Sequence, residues 1–310
     1  MKKAVITGAT GVVGTALVRE LHRCGTDQLI LIRGDSPNAA RLLALRDSLE
    51  QSGMPGGGKI EIRSCALDEL KSFEYDSDEK WDAFFHLGWS GTKGKERYDP
   101  YIHTQNVTYS LDAVALAARM GCTVFVGAGS QAEYGRSDER LTADTLTRPE
   151  SAYGIAKLCA GAMTREYART LGIRHIWPRI VSVFGPCDGE KTLITSLINE
   201  LREGRRPKVT AGEQLWDFLS SADAARALIS LAERGQDGKV YIIASGRERV
   251  LRSYIEELRD EAAPGAEIGF GEVPYGDRQV MHLAADISET TKDTGWKPEL
   301  SFREGIRLML

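Results

Sequence analysis

The sequence predicts an α/β fold: a doubly wound parallel sheet with helices on both faces, joined to a smaller mixed lobe toward the C-terminus. Three observations carry this expectation. Short apolar runs of strand length (residues 4–7, 29–32 and 123–127) alternate with longer segments of helical apolar spacing. A glycine-rich turn, Gly8-Ala9-Thr10-Gly11-Val12-Val13-Gly14, stands directly between the first strand and the first helix. Beyond about residue 178 the alternation becomes irregular. The chain has 310 residues, 42% hydrophobic and 27% charged, enough to bury a substantial core.

The first strand, residues 4–7, runs into the glycine turn, and a helix is expected over 15–23. Each glycine has a physical task. Gly8 lets the backbone turn tightly, Gly11 lets a diphosphate approach the main chain, and Gly14 lets helix and strand pack closely. The helix N-terminus, with Thr10, Val12 and Val13 around it, offers unpaired N–H groups to phosphate. This is the pattern of a Rossmann-type dinucleotide site. The second strand, 29–32, ends at Arg33. A guanidinium there suits a 2′-phosphate and favours NADP, while Asp35 two residues on leaves NAD open.

A helix over 38–51 closes in a Gly- and Pro-containing connection, and 59–64 form a third strand. A fourth, 82–88, ends at Leu87 and Gly88, where a cofactor can lie close; His86 within it is assigned no chemistry. A long helix over 101–120 and a fifth strand, 123–127, follow. Ser130 then sits at the carboxyl end of a central strand, where a substrate oxygen would lie. Tyr153 and Lys157, four residues apart, share one face of a helix over 152–171. A fixed positive charge beside a phenol is expected to lower its pKa toward neutrality. The sixth strand is placed at 173–177, after which Pro178 and Arg179 lead the chain off the sheet. In the irregular part, helices are expected at 193–202, 223–234 and 253–260, and strands at 214–219 and 239–243. A short last helix begins at Ser301, with Glu304 at capping-box spacing. Residues 1–178 are expected to form the dinucleotide-binding domain, with 212–245 returning to it. Residues 179–211 and 246–310 would form the substrate lobe.

Forty basic and 44 acidic residues give a net charge of −4, which argues against nucleic acid or an anionic membrane surface as partner. The N-terminus runs straight into the first strand and reads neither as a signal peptide nor as a membrane span. Cys24, Cys65, Cys122, Cys159 and Cys187 are scattered and odd in number. No metal site and no disulfide framework is expected, and a cytoplasmic location is the simplest reading.

The glycine turn, Ser130 and the Tyr153/Lys157 pair, in this order, resemble the extended short-chain dehydrogenase/reductases, the NAD(P)-dependent epimerase/dehydratase family acting on nucleotide sugars. The resemblance continues through Arg179 with residues 183–186, through Asp217-Phe218 and Asp223, and through Gly295-Trp296-Lys297-Pro298. It implies that Tyr153 is the general acid/base, that Lys157 holds the nicotinamide ribose and tunes Tyr153, and that Ser130 orients the same sugar oxygen. It implies substrate contacts from Ser130, Gln131, Ser182 and Arg278, the last to a diphosphate. It also implies a homodimer formed through the helices over 101–120 and 152–171.

Two departures narrow the activity. Family members that eliminate water follow the Ser/Thr with Asp-Glu as acid and base; here those places hold Gln131 and Ala132, and Glu133 falls one residue late. Relatives often carry Arg before the Asp-Phe pair; here it is Trp216, with Arg205, Arg206 or Lys208 as replacements for its phosphate contact. The resulting expectation is an NADPH-dependent reduction of a 4-keto nucleotide-deoxysugar. A C4 epimerase that retains NAD is the alternative, and a non-catalytic cofactor-sensing protein is a third reading.

Overall fold

The structure, a computed structural model, describes residues 1–75 and 79–310. In chain order the N-terminal part runs β1 (Lys3–Thr7), α1 (Val12–Arg23), β2 (Asp27–Ile32), α2 (Ala39–Gln51), β3 (Ile60–Ser64), β4 (Ala83–His86), α3 (Pro100–Arg119), β5 (Val124–Gly127), β6 (Gly129–Ser130), α4 (Ala152–Thr170) and β7 (Arg174–Ile180). The remainder runs β8 (Ser182–Phe184), α5 (Leu193–Arg202), β9 (Lys208–Val209), β10 (Leu215–Trp216), β11 (Phe218–Ser220), α6 (Ser221–Arg234), β12 (Lys239–Ile243), β13 (Arg249–Val250), α7 (Leu251–Ala262), β14 (Gly269–Phe270), β15 (His282–Leu283), α8 (Ser288–Thr294) and α9 (Phe302–Arg307).

Eight strands form one parallel sheet in the order β12-β7-β5-β4-β1-β2-β3, with β6 pairing the end of β7. The strand order reverses at β1, so the crevice between the ends of β1 and β4 is the natural ligand edge. Strand residues such as Val5, Leu29, Phe84 and Phe125 are wholly buried, as a sheet covered on both faces requires. Alternate residues feed two cores. Ile6, Ile30 and Phe85 join Leu17, Leu21 and Leu228 of α1 and α6 on one face. Val5, Phe84 and Phe125 join Val114, Leu116 and Ala117 of α3 on the other. A third cluster, from α5, α7 and α9 with Phe184 and Phe218, is the core of the C-terminal part.

Several sequence expectations change. The strand placed at 173–177 continues to Ile180. Pairing of β7 with β5 ends at Ile176 and pairing with β6 begins at Arg179, so Pro178, which has no N–H to donate, falls in the gap between them. The single strand expected over 214–219 is two, β10 and β11, in different sheets. It is broken at Asp217, whose buried carboxylate accepts from the backbone N–H groups of Ser245 and Gly246 at 2.8 and 2.9 Å. Helix α8, ended by Gly295 in the left-handed region, was not anticipated. The capping box at Ser301 and Glu304 is present.

Candidate active site

The glycine turn forms the floor of the ligand edge. Gly8 has φ +76°, and a Cβ there would fall 2.5 Å from the backbone of Leu87 and Gly88. A Cβ on Gly14 would fall 2.2 Å from the Gly8 carbonyl oxygen. Neither position tolerates a side chain. Gly11 is exposed, with only the Gly8 carbonyl oxygen at 3.7 Å from where a Cβ would lie, and N-caps α1 without a side-chain bond, which leaves the first-turn N–H groups available to an anion. Val12 and Val13 form that first turn and are half-buried. A groove of about 820 Å³ opens above it, lined by Gly8, Thr10, Arg33, Asp35, Gly88 and Trp89. Leu87 packs beneath it on the apolar core. Arg33 and Asp35 both reach this groove and lie 3.8 Å apart, so the two competing cofactor cues share one place. Arg41 of α2, which sequence reasoning did not single out, donates to the carbonyl of the groove residue Thr10 at 2.8 Å.

Ser130, Tyr153 and Lys157 converge at the inner end. Ser130 ends β6, and its hydroxyl oxygen accepts from the Ala132 N–H at 3.2 Å, capping a 3-10 turn over Gln131–Glu133. Ser151 caps α4 by accepting from the Gly154 N–H at 3.1 Å, which places Tyr153 in the first turn. Lys157 is buried. Its ammonium donates to the Ala128 carbonyl at 2.6 Å and lies 3.8 Å from the centre of the Trp89 ring. Burial lowers the Lys157 pKa to about 7, against the pull of the Glu133 charge.

Tyr153 departs from the sequence expectation. Burial pushes its pKa up; the bond to Ser130 and the charge of Arg97 oppose that rise without reversing it. The nearby cation is Arg97, with its guanidinium carbon 4.2 Å from the ring centre, while the Lys157 ammonium is 5.9 Å away and turned toward Ala128. The rest of the Tyr153 surroundings is aromatic. Trp89 and His103 meet its ring edge-on at 6.1 and 5.6 Å, and the Trp89 indole N–H donates to His103 Nδ1 at 3.1 Å. No local signal could have found Trp89, Arg97 or His103, because they precede Tyr153 by at least fifty residues and reach it only through the sheet.

Glu133 is fully buried and turns away from the cleft. Its carboxylate accepts from the Ser130 N–H at 2.8 Å, the Trp177 indole at 3.1 Å and Arg179 Nε at 2.7 Å. The other two residues of this turn, half-buried Gln131 and buried Ala132, carry no titratable group. His86 is a buried neutral bridge: its ring bonds to the hydroxyls of Thr7 and Ser110, and burial lowers its pKa to about 3. Asn106 holds the turn after β4 through the N–H and carbonyl of Ser90.

A second cavity, of about 500 Å³, lies in the C-terminal part and is lined by Ser182, Phe184, Asp188, Lys208, Trp216 and Gln279 among others. The Trp216 indole donates to the Ser182 hydroxyl at 3.0 Å. Arg278 is exposed beside Gln279, with its guanidinium 5.7 Å from the Tyr98 ring. All three cations offered as phosphate contacts pair with carboxylates: Arg205 with Glu203, Arg206 with Glu272 at 2.6 Å, and Lys208 more loosely with Glu272. Lys208 lines the cavity, 3.8 Å from Glu272. Among the described residues no three His, Cys, Asp or Glu side chains gather as metal ligands, and no helix is long and apolar enough to cross a membrane.

Comparison with known proteins agrees with this architecture. The chain is 25% identical over 315 residues to CDP-abequose synthase of Salmonella typhimurium, covering 99% of this chain and 96% of that protein. It is 26% identical over 240 residues to GDP-6-deoxy-D-mannose reductase of Pseudomonas aeruginosa, covering 74% and 79% respectively. The solved structure of RMD from Pseudomonas aeruginosa, complexed with NADPH, superposes with a TM-score of 0.78 at 24% identity, covering 100% of this chain and 98% of that one. The model of the NAD dependent epimerase/dehydratase family matches residues 4–244, and the chain belongs to that family.

Proposed function

We propose that this protein is an NADPH-dependent reductase of a 4-keto group on a nucleotide-deoxysugar. The observation that carries the reading is a contrast. The proton-transfer set Ser130, Tyr153 and Lys157 is complete beside the dinucleotide groove, whereas the two positions after Ser130 are an amide and a methyl and Glu133 is locked against Arg179. The chemistry left to the site is one proton and one hydride at the same carbon. Likeness to a named GDP-6-deoxy-D-mannose reductase supports the same direction.

The groove fits a dinucleotide: Gly8 and Gly14 leave no room for a Cβ, and the bare N-terminus of α1 faces the space above Gly11. Gly8, Thr10, Gly11, Val12, Val13 and Gly14 would hold its diphosphate, Leu87 and Gly88 would lie under it, and Arg33 would meet a 2′-phosphate. A bound nicotinamide supplies the hydride. The chain's own residues do the rest. Tyr153 gives its proton to the keto oxygen; burial, which raises its pKa, keeps the phenol protonated until then. Ser130 donates to the same oxygen and fixes its direction. Lys157 would hold the nicotinamide ribose. Residues 179–211 and 246–310 serve as the substrate lobe, with Gln131 and Ser182 facing the sugar and Arg278 the diphosphate.

Asp35 in the same groove favours the second reading, a C4 epimerase that keeps NAD bound. We also propose a homodimer through α3 and α4. Exposed Ile155, Met163 and Tyr167 along α4 support it. The deciding assay offers 4-keto-6-deoxy nucleotide sugars to the purified protein with NADPH or NADH. Oxidation of NADPH is expected, with kcat lowered about 10² to 10⁴-fold in Tyr153→Phe. No oxidation with any such sugar defeats the reading. Co-purified NAD with interconversion of gluco and galacto sugars would establish the alternative.

A further inference from the structure

We propose that the turn between β4 and α3, residues 91–98, is a cationic strap that grips the substrate diphosphate through Lys93 and Arg97, together with Arg278. The proposal rests on the nucleotide-sugar reading and adds where the charge of that substrate is met. The path of such a substrate runs from Tyr153, where the sugar reacts, to the 500 Å³ cavity, which has the size and apolar lining for a base and ribose. The strap spans that path. Its Arg97 guanidinium covers the Tyr153 ring at 4.2 Å. Its Lys93 ammonium lies against Gly189, occupying the place a Cβ on that glycine would take. Its charge is felt by Asp188, which lines the cavity. Its Tyr98 lies under Arg278, next to Gln279 of the cavity wall.

Among the described residues the cations in this passage are not held in ion pairs, and Lys93 feels the Asp188 carboxylate only at longer range. Arg97 donates to the Thr92 carbonyl at 3.2 Å, and among the described residues no carboxylate pairs with Lys93, Arg97 or Arg278. Glu96, the acid of the same turn, faces the dinucleotide groove instead. Elsewhere guanidinium groups near the cavity are tied up, as Arg206 is by Glu272 and Glu267. On the opposite wall Trp216 brings no charge and spends its N–H on Ser182. Three cations along one passage, with only the longer-range Asp188 carboxylate acting on Lys93, match an anion of about two charges with several acceptor oxygens. The strap belongs to the dinucleotide-binding side, so gripping the diphosphate also draws the reacting sugar toward Tyr153.

The test titrates NADPH-saturated protein with CDP, GDP, UDP and dTDP and with the corresponding nucleosides, by calorimetry, so that the dinucleotide groove is already filled. The wild-type chain is expected to bind one diphosphate far more tightly than its nucleoside. Arg97→Gln and Lys93→Gln should each weaken that diphosphate about tenfold and leave both the nucleoside and NADPH affinities unchanged. Variants that bind the diphosphate like wild type overturn the strap while leaving the nucleotide-sugar reading intact. Variants that lose NADPH or nucleoside affinity to the same degree show that the turn serves only the fold, and also overturn it. A wild-type chain that binds none of the diphosphates defeats the nucleotide-sugar reading itself.

Discussion

Replacing Lys157 by methionine keeps most of the side-chain stem and removes the ammonium, and the structure states at which pH the change is felt. Burial lowers the Lys157 pKa from 10.5 to about 7. Between those values the unfolded chain carries a proton on this side chain that the folded chain has released. Stability of the wild-type chain therefore rises with pH through that window, by up to about 1.4 kcal/mol per pH unit. Below pH about 7 both states are charged and the whole cost of burying the ammonium is present. Above about 10.5 both are neutral and the cost is gone. The Glu133 charge opposes that shift, and the bond to the Ala128 carbonyl at 2.6 Å and the Trp89 face at 3.8 Å also favour the charged form. Lys157→Met lacks the titration altogether. Its unfolding free energy relative to wild type should fall by about 3 kcal/mol between pH 6.5 and 9.5, because the wild-type chain gains over that range and the variant does not. The orphaned Ala128 carbonyl costs the variant the same at every pH and leaves this difference untouched. The assay is urea unfolding of both proteins at pH 6.5, 8 and 9.5, followed by tryptophan fluorescence. A free-energy difference that stays constant across the three pH values refutes the reasoning, since it would mean that Lys157 titrates alike in the folded and unfolded chain.

Two further predictions concern the frame of the site. Glu133→Gln leaves the Arg179 guanidinium buried without its carboxylate and should cost about 3–5 kcal/mol in urea unfolding, whereas a loss below about 1 kcal/mol would show that the pair is not desolvated. Light scattering should give twice the 34.0 kDa chain mass, and Ile155→Glu should return it to one; a monomeric wild-type protein ends the dimer proposal.

The dinucleotide half was legible because its signals are local. Strand-length apolar runs place β1, β2 and β5, and the three glycines of the first turn are demanded by backbone crowding within a few residues. The same holds for the cap that Ser301 and Glu304 make. Misplaced ends and breaks have distant causes. Strand β7 runs past Pro178 because its neighbour changes from β5 to β6 at that point. The strand expected over 214–219 is cut because Asp217 takes its hydrogen bonds from residues nearly thirty positions later.

For the site, the sequence by itself determined which reactive groups are present and that Tyr153 and Lys157 share a helix face, since helical spacing alone dictates that. It also determined that Gln131 and Ala132 carry no acid or base. What those groups feel was decided only by the tertiary structure. Lys157 meets a carbonyl and an indole, Tyr153 meets Arg97, and Glu133 meets Arg179. The physical reason is that a pKa depends on burial and on charges within a few ångströms. Strands β4, β5 and β7 bring such neighbours together from positions far apart in the chain, so no sequence spacing records them.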